Sequence, residues 1–360
     1  MAPAPVGCWV KTTSPARIDL AGGWTDTPPV SYEYGGTVVN AAIKVDGSHP
    51  LEARVRRIST EPVIRFWMEG QDEPVVCREK EDISDYGHPL APAALSKTGV
   101  LCIGLVDLAD KRSLAEQLAA NLGADGDGAI GLEVITASRL PMGSGLGGSS
   151  ILGGALLQAM GVAVGRAMDT SSLVHAVLKL EQMLSSGGGW QDQVGGLYGG
   201  FKICRSPAQL PLKVESEVLS ASAETVAKFN SHLVLCYSGR ARLARNLLQG
   251  VLRRWAARLP EVVDTVSNLV PSSPLIPPTR PVLSLLPVTL DCGAGLECGG
   301  DPARGAQRRC RNLRAVRLRV LVAEEADGWR RRRADAHHQG SRRHVPAPRG
   351  PQTAPQAGGF

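Results

Sequence analysis

The stretch SRLPMGSGLGGSSILGGALL, residues 138–157, decides how the fold of this chain is interpreted. A strand-like run, IGLEVITAS, leads into it, and an Ala- and Leu-rich run with helical character begins at Ser149. Glycine and serine also dominate flexible linkers, but a linker is rarely enclosed so tightly by a strand and a good helix. The strand–loop–helix order therefore favours a loop that binds phosphate.

Glycines and a helix N-terminus explain how this loop could hold an anion. Glycine adopts backbone angles closed to other residues and lets a ligand approach the main chain closely. The first N–H groups of the following helix lack helical acceptors and carry a partial positive charge. Ser149 and Ser150 fall in the first helical turn, where their hydroxyls can ligate Mg²⁺ or donate to phosphate.

The loop matches neither of the commonest phosphate-binding motifs. A Walker loop needs a Lys before its Ser or Thr, and this loop has none. The segment GSGLGG does fit the Rossmann pattern, but no early βαβ unit precedes it and no acidic residue follows at about 20 positions. The predicted phosphate site is therefore of another type.

Two acidic residues follow the loop at positions where a phosphate site needs chemistry. Glu181 lies in a predicted helix, residues 169–186, and Asp192 follows a glycine run in the segment LEQMLSSGGGWQDQVGG. Such residues are more often surface charges, but the glycine-rich, Trp-bearing surroundings of Asp192 favour a site. One carboxylate would bind a metal ion, and the other would act as a base near an acceptor hydroxyl.

A third segment, SPARIDLAGGWTDTPP, lies near the start of the chain at residues 14–29. Arg17 and Asp26 flank a predicted strand and a tight turn. Asp19 alternates with apolar neighbours, which is typical of strand-face packing or turn capping. Trp24 fits a core position, but beside two glycines it could equally form a wall against a sugar ring.

Taken together, these three segments resemble the GHMP kinases, whose Pro-x-x-x-Gly-Leu-Gly-x-Ser-Ser motif is matched by residues 141–150. The segments GGWTDTPP, SGLGGSSIL and GGGWQDQVGGLYGG are most similar to the L-fucose kinase branch. The D-glycero-D-manno-heptose 7-phosphate kinases share the first and third of them. The resemblance covers residues 9–270 and implies an α/β fold, the α+β two-domain fold of the GHMP kinases.

The resemblance implies ATP and Mg²⁺ as cofactors and L-fucose as the small-molecule partner. The reaction would transfer the γ-phosphoryl group to the anomeric hydroxyl of the sugar, giving L-fucose 1-phosphate for GDP-fucose salvage. Positioning and electrostatics would supply most of the rate. The alternatives are an enzyme like the heptose 7-phosphate kinases and a catalytically inactive kinase fragment.

The resemblance also implies roles for individual residues. Asp192 would accept the proton of the sugar hydroxyl, and Arg17 would lie beside it as the second catalytic residue. Ser149 and Glu181 would hold Mg²⁺. The ATP-binding loop would consist of Pro141, Gly143, Ser144, Gly145, Leu146, Gly147, Gly148, Ser149 and Ser150. The sugar would contact Gly23, Trp24, Asp26 and Gly189.

We expect three regions along the chain. Residues 1–205 would form the ATP- and sugar-binding domain, with a mixed sheet and helices, and residues 206–270 would begin a ferredoxin-like C-terminal domain. The family's third, glycine-rich motif is missing, because DCGAGLECGG at residues 291–300 lacks a strand–loop–helix setting. We therefore expect this second domain to be incomplete after residue 270.

The last region, residues 271–360, is predicted to be a disordered tail rich in Pro, Arg and Gly. It contains fifteen Arg and no Lys. This skewed usage fits a GC-rich message read out of its frame, and the alternative is a natural disordered tail. The predicted domain organisation therefore ends before this region.

Charge and cysteine usage limit the partners that the chain could have. The net charge is +6, but residues 1–270 carry −2 and the tail carries +8, so the body does not indicate nucleic-acid binding. The eight cysteines lack metal-site spacing, and we expect buried free thiols. Without a secretory signal or a membrane-length apolar run, we expect a cytoplasmic protein with no membrane partner. The sequence does not indicate an oligomeric state.

Overall fold

The computed structural model describes residues 2–88, 90–123, 130–184, 187–235, 244–270 and 318–320. Within these ranges the chain forms two five-stranded sheets with helices packed on them. The strands are β1 (Val10–Ser14), β2 (Ala16–Ala21), β3 (Gly36–Val45), β4 (Leu51–Ile58), β5 (Ile64–Met68), β6 (Val75–Cys77), β7 (Gly131–Ser138), β8 (Phe201–Ser206), β9 (Glu215–Leu219) and β10 (Leu318–Val320). The α-helices are α1 (Val30–Glu33), α2 (Ala94–Cys102), α3 (Leu114–Leu122), α4 (Gly148–Ala163), α5 (Thr170–Met183), α6 (Gln191–Leu197), α7 (Ala223–His232), α8 (Ala244–Ala256) and α9 (Pro260–Leu269), and a 3-10 helix spans Glu81–Gly87.

The first sheet has the order β1-β4-β7-β5-β6, and within it β5 runs parallel to β7 while the other neighbours are antiparallel. Apolar residues alternate along β4, so that Leu51, Ala53 and Val55 point to the buried face. The core beneath this sheet includes Val55 together with Leu156 and Met160 of α4. This packing fixes α4, and with it the loop that precedes the helix.

Helix α4, which follows the glycine loop, is the most deeply packed part of this region, with twelve of its sixteen residues buried. Its glycines allow close contacts with neighbouring helices. A Cβ atom on Gly154 would lie 2.8 Å from a methyl group of Leu197, at the end of α6. The small residues of α4 therefore bring α6, which carries Asp192, close to the helix that follows the glycine loop.

The second sheet has the order β10-β3-β8-β9, with β2 paired to the other edge of β3. Strand β8 pairs with β3 only as far as Ala41, and β10 pairs with the following residues Ile43, Lys44 and Val45. The sequence predicted no strand in residues 271–360, whereas the structure has the short strand β10 there. The physical reason is that β3 extends past β8 and offers three further backbone positions, which the short run Leu318–Val320 occupies.

Two of the helices near the site, α4 and α5, were predicted from the sequence, whereas the short helix α6, which carries Asp192, was not. The side chain of Asp169 caps α5 by accepting a hydrogen bond from the backbone N–H of Ser172 at 2.8 Å. Helix α9 begins at Pro260, where the missing N–H of proline costs no helical hydrogen bond. The rings of Tyr34 and Trp255 lie 5.1 Å apart, edge to face, and join α8 to the segment that follows α1.

The structure confirms the predicted mixed α/β fold class. The predicted domain boundaries at residues 205 and 270 stay predictions, and those made for residues 271–317 and 321–360 lie outside the described residues. The four described cysteines, Cys8, Cys77, Cys102 and Cys204, are free thiols, although Cys8 is exposed. No helix in the described ranges has the length and apolarity needed to cross a bilayer.

Candidate active site

An arginine–aspartate pair joins the strand β2 to the helix α6. Arg17 lies on β2, and Asp192 lies in the first turn of α6. The Arg17 Nε donates to Asp192 Oδ1 at 3.0 Å, and Arg17 Nη2 contacts the same oxygen. The Arg17 Nη1 donates to the carbonyl of Gly145 at 3.0 Å. One guanidinium thus connects the predicted catalytic carboxylate to the glycine loop.

The surroundings of Arg17 keep it positively charged. Only 7% of the residue is exposed, and its Nη1 lies 2.8 Å from Oδ2 of Asp19. Burial alone would lower the pKa of Arg17, but the negative charges of Asp192 and Asp19 outweigh it and raise that pKa above its ordinary value. Burial also raises the pKa of Asp19 to about 6, against the opposing effect of Arg17. The pair is therefore a fixed cation beside a carboxylate.

Two glycines allow backbone segments to lie directly against the Arg17 side chain. A Cβ on Gly195, in α6, would lie 2.8 Å from both Cβ and Cγ of Arg17. A Cβ on Gly147, in the loop, would lie 3.2 Å from Arg17 Nε, and this residue has a positive φ of 74°. Larger residues at either position would displace the guanidinium, so the sequence's glycines set the position of the pair.

The glycine loop has the backbone conformation that the sequence predicted for a phosphate site. Gly143, Gly145 and Gly147 have φ values of 68°, 73° and 74°, and Gly147 is the N-cap of α4. A Cβ on Gly145 would meet no atom within 4 Å, so the space beside the loop is open there. The first N–H groups of α4 have no acceptor within the helix, because the preceding turn is not helical. An open space beside these donors fits a phosphate group.

A serine and a glutamate meet at the start of α4. The Ser150 Oγ donates to Glu181 Oε1 at 2.6 Å, and both residues are buried, whereas Ser149 is exposed on the same turn. A carboxylate and hydroxyls are hard oxygen donors of the kind that Mg²⁺ accepts, together with water and phosphate oxygens. The described residues contain no group of three His, Cys, Asp or Glu side chains that could bind a metal ion by themselves. A metal ion at this position would therefore need further ligands, such as water and phosphate oxygens. The donor set therefore fits Mg²⁺ bound together with a nucleotide.

Asp26 connects the N-terminal segment to the start of α6. Its Oδ2 accepts from the backbone N–H of Gln191 at 2.9 Å, and the residue has no exposed surface. Burial raises its pKa to about 7, against the lowering effect of the Gln191 hydrogen bond. A Cβ on Gly189 would lie 2.0 Å from Asp26 Oδ2, so only glycine fits there. Asp26 and Gly189 are therefore in direct contact, and as the structure stands Asp26 holds the turn before α6.

Trp24 and Gly23 lie on the outer side of the same contact. The backbone N–H of Trp24 donates to Gln191 Oε1 at 3.3 Å, and Trp24 itself has a positive φ of 78°. A Cβ on Gly23 would lie 3.2 Å from the same oxygen. The Trp24 residue is 36% exposed, and a cleft of about 340 Å³ opens beside it. This cleft is lined by Gly23, Trp24, Thr25, Val30, Val251, Arg254, Glu261, Val262, Thr265, Val266 and Leu269.

The structure brings the three predicted segments together, and it also adds residues that the sequence did not single out. Gln191 accepts a hydrogen bond on its side-chain oxygen from the backbone N–H of Trp24 and donates one from its own backbone N–H to Asp26. Asn40 and Lys202 are fully buried polar residues in the strands VVNAAI and GFKICR, and both contact α6. The available signal was a single polar residue inside an apolar strand. Without the sheet pairing, that signal does not tell a site residue from an ordinary strand position.

Comparisons with known proteins add family information to this geometry. Residues 111–200 match the family described as GHMP kinases N terminal domain. The chain is 30% identical over 263 residues to a bifunctional fucokinase/GDP-fucose pyrophosphorylase of Arabidopsis thaliana. The matched region covers 72% of this chain and 23% of the plant protein. The chain is 35% identical over 243 residues to an L-fucokinase/L-fucose-1-P guanylyltransferase of Bacteroides fragilis, with 66% and 25% covered. The chain thus spans about a quarter of the length of these relatives.

A solved structure shares the fold at low sequence identity. A D-glycero-D-manno-heptose 1-phosphate kinase from Bacteroides thetaiotaomicron superposes with a TM-score of 0.52 and 18% identity. The superposition covers 87% of this chain and 96% of the other. At this identity the likeness concerns the fold alone.

Proposed function

We propose that this chain, whose residues 111–200 match the N-terminal domain of the GHMP kinases, is an ATP-dependent sugar kinase acting on the anomeric hydroxyl of L-fucose. The observation that carries the proposal is the Arg17–Asp192 pair, which lies beside a glycine loop with open space over it. The choice of L-fucose is supported by the two relatives, both of which are named as fucokinases.

Asp192 is the residue proposed to accept the proton of the sugar hydroxyl. Its side chain is 27% exposed, and the hydrogen bonds from Arg17 both go to Oδ1. The Oδ2 atom is then available to an acceptor hydroxyl. As the hydroxyl oxygen bonded to the γ-phosphorus of ATP, the bond between that phosphorus and the β–γ bridging oxygen would break and ADP would leave. The O–H bond would break in the same step, with its proton passing to Asp192 Oδ2.

Arg17 has two tasks in this proposal. It orients Asp192 through a guanidinium that is itself fixed by Asp19 and the Gly145 carbonyl. Because it stays charged, it also stabilises negative charge that develops beside the loop during transfer. A fixed and buried cation does this without the reorganisation that a solvent-exposed lysine would need.

The loop and the first turn of α4 are proposed to hold the nucleotide phosphates. Backbone N–H groups of residues 148–150 would donate to phosphate oxygens, with Pro141, Ser144 and Leu146 shaping the loop. Glu181 and Ser149 would hold Mg²⁺, and Ser150 would orient Glu181 through its 2.6 Å hydrogen bond. When bound, ATP supplies the phosphoryl group and Mg²⁺ neutralises charge on its phosphates.

The proposal is tested by assaying the purified chain with L-fucose, ATP and Mg²⁺, and by detecting the sugar 1-phosphate with ³¹P NMR. We expect Asp192→Asn to lower kcat by about 10²–10⁴, the usual contribution of a positioned base. The matched control is Asp110→Asn, which alters a partly exposed carboxylate paired with Arg112, outside the candidate site, and should leave kcat unchanged. Turnover of L-fucose no higher than that of Asp192→Asn would refute the proposal, and a parallel assay with D-glycero-D-manno-heptose 7-phosphate examines the alternative acceptor.

A further inference from the structure

A row of three polar residues crosses the second sheet directly beneath the candidate active site. Asp19 of β2 pairs with Asn40 of β3, and Asn40 pairs with Lys202 of β8. Residues paired across neighbouring strands lie side by side on the same face of a sheet. Asn40 and Lys202 have no exposed surface, and most of Asp19 is covered as well. We call Asp19, Asn40 and Lys202 the polar row.

Each member of the polar row contacts either Arg17 or the helix α6, which carries Asp192. Asp19 Oδ2 lies 2.8 Å from Arg17 Nη1. Asn40 Nδ2 donates to the carbonyl of Gln191, the residue before Asp192, at 3.3 Å. Lys202 Nζ donates to the carbonyl of Gly195 at 2.8 Å and to that of Gly200 at 3.1 Å. Asn40 thus contacts the first residue of α6, Lys202 contacts a residue further along the helix, and Asp19 contacts Arg17.

Gly195 links the lysine to the catalytic pair. Its carbonyl accepts from Lys202, and its Cα faces the Arg17 side chain so closely that an added Cβ would lie 2.8 Å away. A shift of the Gly195 peptide would therefore move Arg17, and Arg17 carries Asp192 with it through two hydrogen bonds. The contact runs from Lys202 through one peptide to the predicted catalytic atoms.

Lys202 is an unfavourable residue at a buried position whose only role is structural, because burial of its charge lowers the stability of the fold. In the described part of the chain its hydrogen bonds go to the neutral carbonyls of Gly195 and Gly200, and burial lowers its pKa to about 7. Asp19 offsets part of the effect of burial through its charge, but burying a cation whose hydrogen bonds go to neutral carbonyls still costs free energy that an apolar side chain of similar length would not. What the ammonium does provide is two directed hydrogen bonds, which hold the end of α6 and the turn before β8 at a fixed separation.

We propose that Lys202 and Asn40 are positioning residues, which fix α6 so that Asp192 and Arg17 keep their mutual geometry. The kinetic consequence rests on the proposed function, whereas the geometric consequence does not. Loss of either residue should loosen the pair while leaving the glycine loop and the Ser150–Glu181 contact in place. The expected result is a selective loss of kcat.

The kinetic test compares Lys202→Met and Asn40→Ala with the control Lys213→Met. Lys213 forms an ion pair with Glu215 in which both side chains are well exposed, so its removal should be neutral. Misplacement by about 1 Å can cost about 10²-fold in rate, and we expect each test variant to lose about 10- to 100-fold in kcat. The KM for ATP should stay within about twofold, because the loop is held by other contacts.

A second measurement does not depend on turnover. In ¹⁵N-arginine-labelled protein, the Arg17 Nε–H signal, assigned with Arg17→Lys, should exchange slowly with solvent because Arg17 is buried and its Nε donates to Asp192. We expect exchange at least about tenfold faster in Lys202→Met and Asn40→Ala than in Lys213→Met. If the wild type shows no sugar kinase activity, the proposed function fails, yet this signal still tests the positioning.

The outcomes are distinct. Faster Arg17 exchange in a variant that melts cooperatively supports the proposal, and Asn40→Ala carries the test if Lys202→Met does not fold. Unchanged exchange and unchanged kcat in folded variants overturn it. Failure of both variants to fold also overturns it, because the polar row would then be a requirement for folding rather than a device that positions α6.

Discussion

At the scale of single residues, the buried carboxylate of Asp26 is the group whose charge most directly links the site to stability. It is fully buried and accepts one backbone hydrogen bond, from Gln191. Among the described residues, its Oδ1 has no hydrogen-bond partner. A charged carboxylate in this position is costly because desolvation disfavours the ionised form. The protonated form is therefore favoured in the folded chain at pH values where the unfolded chain has already ionised.

This imbalance predicts how stability depends on pH. The pKa of Asp26 rises from 3.8 to about 7 on folding. The protonated carboxyl of Asp26 therefore contributes fully to the free energy of unfolding below about pH 3.8, and this contribution is lost as the pH rises through about 7. Asp26→Asn keeps the acceptor for Gln191 but cannot ionise. At about 1.4 kcal/mol per pKa unit, its free energy of unfolding should gain roughly 4 kcal/mol on the wild type between pH 4 and pH 8.

Urea denaturation of both proteins across this range provides the measurement. Comparing the two removes the contributions of Asp19 and Lys202, whose pKa values of about 6 and about 7 also fall in the range and which both proteins share. Parallel curves for the wild type and Asp26→Asn would contradict the prediction, because Asp26 would then titrate alike in the folded and unfolded chains.

At the scale of elements, the first turn of α4 separates the roles of two adjacent serines. Successive residues on a helix point in directions about 100° apart, so Ser149 and Ser150 cannot share one environment. The structure places Ser150 in contact with Glu181 and leaves Ser149 exposed near the loop. We therefore expect Ser149 to act on the metal and Ser150 to act on the glutamate.

Two alanine variants test this division. Ser149→Ala should raise the Mg²⁺ concentration for half-maximal activity by about tenfold, with an unchanged melting temperature, because a metal ligand is lost at an exposed position. Ser150→Ala should lower the free energy of unfolding by about 1–3 kcal/mol, because the buried Glu181 loses a hydrogen bond. Metal titrations of activity and thermal melts distinguish them. A rise in the Mg²⁺ requirement for Ser150→Ala alone would reverse the assignment.

Elements with local signals could be predicted from the sequence. Strand β7, the glycine loop and α4 follow from glycine spacing and apolar pattern, and a helix predicted over residues 169–186 corresponds to α5. The pairing of Arg17 with Asp192 had no local signal, because 175 residues separate them. Only the family resemblance placed them together.

The polar row illustrates why the rest could not be predicted. Asn40 and Lys202 are isolated polar residues in apolar strands, and their meaning depends on which strands are neighbours. Strand register is set by the packing of whole sheets, which periodicity along one strand does not reveal. Strand β10 is a similar case, because its position depends on the free edge of β3.

At the scale of the whole molecule, binding of nucleotide should report whether the site is complete enough to function. A ligand that binds only the folded chain stabilises it by RT ln(1 + [L]/Kd), which is about 2.7 kcal/mol at one hundred times the Kd. An inactive fragment with a collapsed loop would gain nothing. The measurement is thus independent of the sugar and of turnover.

We expect MgATP to raise the melting temperature of the full chain by roughly 5–10 °C at that saturation, from about 2–4 °C per kcal/mol for a protein of this class. Glu181→Gln should reduce the part of the shift that depends on Mg²⁺ and retain the part produced by ATP with EDTA, because the loop donors are unchanged. The matched control Glu217→Gln alters an exposed partner of Arg205 and should behave as the wild type. A cooperative melting transition whose temperature ATP does not change would contradict the proposed nucleotide site. A full shift in Glu181→Gln with Mg²⁺ present would remove only the metal role of Glu181.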